Sequence, residues 1–134
     1  MQNWTEFIKE KLITEEDLQA RIAELGAELT RDYAGKDLLV ICILRGGVMF
    51  MSDLIKNINL PLGIEFMAVS SYGLGDRETS GDVRITLDLN VNIKGRHVLI
   101  VEDIIDSGLT LASVIDLLET RGPASLYVCT LLDK

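Results

Sequence analysis

The run Val101-Glu102-Asp103-Ile104-Ile105-Asp106-Ser107-Gly108-Leu109-Thr110-Leu111 passes from an apolar stretch through two adjacent acids into a turn of small polar residues. Helical spacing follows at once, with Leu111, Val114, Ile115 and Leu118 leading to Gly122-Pro123. Upstream, His97-Val98-Leu99-Ile100-Val101 has the length and β-branched content of a buried strand, expected to end at Glu102-Asp103. A strand-to-helix turn built from Asp, Ser, Gly and Thr exposes backbone N–H groups at a helix N-terminus beside two hydroxyls. That is a cradle for a phosphate.

The same strand-then-helix alternation extends in both directions. Thr14 followed by Glu15, Glu16 and Asp17 predicts an N-cap with acids in the first turn, and Leu18, Ile22, Leu25, Leu29 and Tyr33 recur at helical spacing. Leu38–Leu44 is a continuous apolar run, as expected of a central parallel strand covered on both faces. Arg45-Gly46-Gly47 follows it, and then Met51, Leu54, Ile55 and Ile58 predict a helix ended by Asn59 and Pro61.

Residues 64–70 read as a second strand, and the glycine-rich polar stretch at about 71–82 as a long flexible loop of the kind that carries function. Val83, Ile85, Leu87 and Leu89 alternate as in a half-exposed strand, and Leu126–Leu132 reads as a last strand. The expected fold is α/β, a mainly parallel sheet flanked by helices, as one domain over 1–134. Ligands of such sheets bind at the carboxyl ends of the strands.

Bulk properties exclude several classes. With 48% apolar and 25% charged residues in 134, the chain has the composition of one globular domain. Thirteen basic against twenty-one acidic residues give a net charge of −8, which disfavours nucleic acid and anionic membranes as partners. Backbone amides and a metal ion still suffice to hold a phosphorylated small molecule. Cys42 and Cys129 each sit in an apolar run without metal-ligand spacing and read as buried free thiols. No signal peptide and no run of eighteen apolar residues is present, so a cytoplasmic location is expected.

Taken singly, the acids have plainer readings: Asp106 or Ser107 as a helix cap, Glu102-Asp103 as a solvated strand end. In combination, VEDIIDSGLTL resembles the phosphoribosyl-pyrophosphate motif of the type I phosphoribosyltransferases. Leu44-Arg45-Gly46-Gly47 resembles the pyrophosphate loop of the purine branch, where the peptide before the basic residue is often cis. Ser70-Ser71-Tyr72-Gly73 resembles the start of the loop that closes over the site in the hypoxanthine-guanine enzymes. Lys134, after Leu131-Leu132-Asp133, resembles their lysine that donates to the purine 6-oxo group.

The resemblance implies a purine-salvage enzyme that moves a phosphoribosyl group from phosphoribosyl pyrophosphate to hypoxanthine or guanine with Mg2+. It implies that Glu102, Asp103, Asp106, Ser107, Gly108, Leu109 and Thr110 hold the phosphoribosyl group. Glu102 and Asp103 would also serve the metal, and Asp106 would be the catalytic proton acceptor. By the same resemblance, Leu44, Arg45, Gly46 and Gly47 hold pyrophosphate, Ser71 and Tyr72 begin the closing loop, and Ile104 and Lys134 contact the purine. A homodimer or homotetramer is expected.

Two departures stand out. Leu109 replaces the lysine of many relatives, leaving the 5′-phosphate to backbone amides. The family pattern also continues past the position of Lys134 with a hood over the base, so the expectation here is an incomplete hood. The alternative function is then a non-enzymatic or inactive nucleotide-binding module.

Overall fold

A computed structural model describes residues 14–71, 83–105 and 109–133. Residues 71, 83, 103–105, 109–110 and 132–133 are described by their backbone alone. The elements run α1 (Glu15–Asp32), β1 (Leu38–Leu44), α2 (Val48–Ile55), β2 (Leu62–Ser71), β3 (Val83–Leu87), β4 (His97–Ile105), α3 (Leu109–Glu119) and β5 (Ser125–Asp133).

Helix α1 starts where its acids favour it. The Thr14 hydroxyl accepts from the Asp17 amide at 3.1 Å, and Glu15, Glu16 and Asp17 face the positive end of the helix dipole. The five strands form one sheet in the order β3-β2-β1-β4-β5. Strand β1 is central and parallel to β2 and β4, β4 is parallel to β5, and only β3 is antiparallel, paired with β2.

Alternation along the strands divides the core in two. Leu38, Val40 and Cys42 of β1, with Leu99 and Val101 of β4, pack under α1 and α2 against Ile22, Leu25, Leu29, Phe50, Met51 and Leu54. Leu39, Ile41 and Ile43, with Val98 and Ile100, pack on the other face against Val114 and Leu118 of α3. Each fully buried aliphatic side chain of this kind stabilises the fold by about 1.5–3 kcal/mol. Helix α1 and the turn after α2 approach so closely that a Cβ at Gly26 would overlap Asn57. The amino end of the sheet is tied by Arg96, whose guanidinium donates to both Asp37 carboxylate oxygens at 3.0 and 3.1 Å.

The fold class is the one the sequence implies, with shifted boundaries. Strand β4 does not end at Glu102-Asp103 but runs on to Ile105, because β5 continues beside it: Glu102 pairs with Thr130, Ile104 with Leu132 and Ile105 with Asp133. Ser71, expected to begin the loop, is the last residue of β2 and pairs with Val83, so 72–82 connect two paired strand ends. Strand β3 stops at Leu87, short of Leu89. Helix α2 stops at Ile55 and gives way to tighter turns, with the Asn57 amide on Leu54 O and the Ile58 amide on Ile55 O.

Candidate functional site

Sheet order places the site. The chain leaves β1 towards β2 on one side, whereas β4 and β5 lie on the other, so the carboxyl ends of β1 and β4 flank a topological switch point. Two of the segments singled out from sequence meet there.

The first is Leu44–Gly47. The Leu44–Arg45 peptide is cis, as the resemblance to the pyrophosphate loop leads one to expect. Arg45 and Gly46 are exposed, and Gly47 is buried at the head of α2, its carbonyl accepting from the Met51 amide at 2.8 Å. A Cβ on Gly47 would lie 3.0 Å from the Val101 carbonyl oxygen, 3.5 Å from Glu102 Cα and 3.6 Å from Cys42 Sγ. The loop therefore sits directly on the backbone that leads into the acidic pair.

The second is the 102–110 segment. Glu102 is half-buried in β4, and the strand carries Asp103, Ile104 and Ile105 on to the carboxyl edge of the sheet. Helix α3 starts at Leu109, with Leu109 and Thr110 in its first turn. The expected strand and helix are thus present; the residues between them, Asp106, Ser107 and Gly108, lie outside the described residues, as do Tyr72 and Lys134. Ser71 and Asp133, the residues just before these last two, end β2 and β5 at the same edge of the sheet. Backbone positions thus bring residues 44–47, Ser71 and residues 102–104 to one edge of the fold, where β5 also ends.

Chemically, this edge offers exposed backbone at Arg45-Gly46, a guanidinium and a carboxylate. Among the described residues no group of three or more His, Cys, Asp or Glu is placed to hold a metal ion. Mg2+ fits such a site: it is held by one or two carboxylates and otherwise by waters and substrate phosphates rather than by an all-protein cage. Glu102 and Asp103, the pair that the resemblance assigns to the metal, are adjacent in β4 at this edge, Asp103 being described by its backbone alone.

One contributor escaped the sequence reading. Cys42, read there simply as a buried thiol, is fully buried and forms part of the floor beneath Gly47. Nothing in its sequence context separates it from any other strand residue.

A groove of about 620 Å3 lies elsewhere, between α1 and β5, lined among others by Leu25, Leu29, Tyr33, His97 and Tyr127. His97 Nδ1 and Ser125 Oγ are 2.7 Å apart there, and the Tyr33 and His97 rings meet edge to face with centroids 6.4 Å apart. The groove reaches the amino ends of β4 and β5, whereas the loop and the acids occupy the carboxyl ends. Donor chemistry, not volume, singles out the carboxyl edge.

The phosphoribosyl transferase domain model matches residues 12–134. The chain is 60% identical over 126 residues to the hypoxanthine phosphoribosyltransferase of Haemophilus influenzae, covering 92% of this chain and 70% of that protein. It is 53% identical over 127 residues to the hypoxanthine-guanine phosphoribosyltransferase of Staphylococcus aureus strain Mu50, covering 95% of this chain and 70% of that one. A crystal structure of a Staphylococcus aureus hypoxanthine phosphoribosyltransferase superposes with a TM-score of 0.90 at 50% identity, over 100% of this chain and 73% of that one.

Proposed function

Because the chain belongs to the phosphoribosyltransferase family, in its hypoxanthine-guanine branch of purine-salvage transferases, we propose that it transfers the phosphoribosyl group of phosphoribosyl pyrophosphate to N9 of hypoxanthine or guanine. The products are the nucleoside monophosphate, IMP or GMP, and pyrophosphate. The observation that carries this reading is the close approach of the loop after β1, at Gly47, to the β4 backbone at Val101-Glu102.

In this reading the amides of residues 106–110 hold the 5′-phosphate at the start of α3, where the helix dipole favours an anion. The carboxylates of Glu102 and Asp103 bind the ribose hydroxyls. Arg45 and the amides of Gly46 and Gly47 bind the diphosphate and stabilise the charge that develops on it as the bond to C1 breaks. Mg2+, when bound, supplies further neutralisation of the departing pyrophosphate. Asp106 accepts the purine N7 proton as N9 becomes the nucleophile. Ile104 packs against the purine ring, Lys134 donates to its 6-oxo group, and the segment beginning at Ser71-Tyr72 keeps water from the activated sugar.

The non-enzymatic alternative draws no support from the relatives, which are named as transferases. No helix among the described residues is long and apolar enough to cross a membrane. A cytoplasmic homodimer or homotetramer completes the proposal, and light scattering reports its assembly. Conversion of radiolabelled hypoxanthine to its monophosphate, with and without Mg2+, tests the activity. Turnover that depends on the metal and on phosphoribosyl pyrophosphate is expected, and tight nucleotide binding without turnover overturns the proposal.

A further inference from the structure

We draw no further inference here: the strongest candidate, the groove of about 620 Å3 between α1 and β5 with the exposed Tyr127 on its wall, is an open and partly apolar face, and nothing in the structure shows what covers it.

Discussion

Gly47 lies close against Val101: a Cβ on the glycine would stand 3.0 Å from the valine carbonyl oxygen. This contact joins the loop after β1 to the strand that bears the acids. Alanine at position 47 needs a shift of only a few tenths of an ångström, so Gly47→Ala is expected to be mild. Gly47→Val places further atoms into the same gap, and overpacking of that kind costs about 1–3 kcal/mol. Urea denaturation and steady-state kinetics should show lowered stability and a KM for phosphoribosyl pyrophosphate raised several-fold in the valine variant. A valine variant with unchanged KM would disconnect the loop from substrate binding.

The Asp106 carboxylate is assigned a proton, whereas its backbone amide shares in holding the phosphate. Asp106→Asn keeps the turn but removes the acceptor, so kcat is expected to fall by about 10²–10⁴-fold. The Kd for phosphoribosyl pyrophosphate, measured by calorimetry, should stay within a few-fold. Binding that collapses in step with kcat would contradict the role.

Core and surface should separate cleanly. Leu54, on α2, is fully buried, whereas Tyr127, on β5, is 65% exposed. Leu54→Ala is expected to cost about 2–5 kcal/mol, transfer and cavity contributions together. Tyr127→Ala should stay within about 0.5 kcal/mol. Thermal denaturation of the two variants side by side measures the difference.

The Arg121 guanidinium donates to both carboxylate oxygens of Asp88 at 2.9 Å and holds the Asp88 carboxyl below its ordinary value. A carboxyl lowered in the folded state contributes stability above its unfolded pKa, about 3.9, and loses it as pH falls through the folded value. Asp88 is nearly half exposed, so the screened pair contributes less than about 1 kcal/mol. Asp88→Asn should therefore lower the urea midpoint slightly at pH 7, and the difference from the parent should shrink below pH 4. A gap that widens on acidification would reverse the sign of the pairing.

The sheet was legible in sequence because β1 and the 98–101 stretch of β4 are apolar runs, the first followed by the Arg45-Gly46-Gly47 break. Alternation cannot report where a parallel partner stops. Strand β4 therefore outran its acids, held to Ile105 by the pairing of Ile104 with Leu132. The shortness of α2 was equally hidden, since Ile58 keeps helical spacing and is buried although the backbone has turned tighter. The segments proposed for the site were readable because binding a phosphorylated sugar would demand small residues and acids in a set order. The seat of Gly47 on Val101 and Cys42 was not, because contacts between strands leave no local pattern.

The position of the bound ligand decides the assignment of the site. A crystal structure of the chain with IMP, pyrophosphate and Mg2+ should place the 5′-phosphate on the backbone of residues 106–110 and the pyrophosphate on Arg45, Gly46 and Gly47. Nucleotide seated between α1 and β5 instead, with the carboxyl ends of β1 and β4 bare, would contradict it.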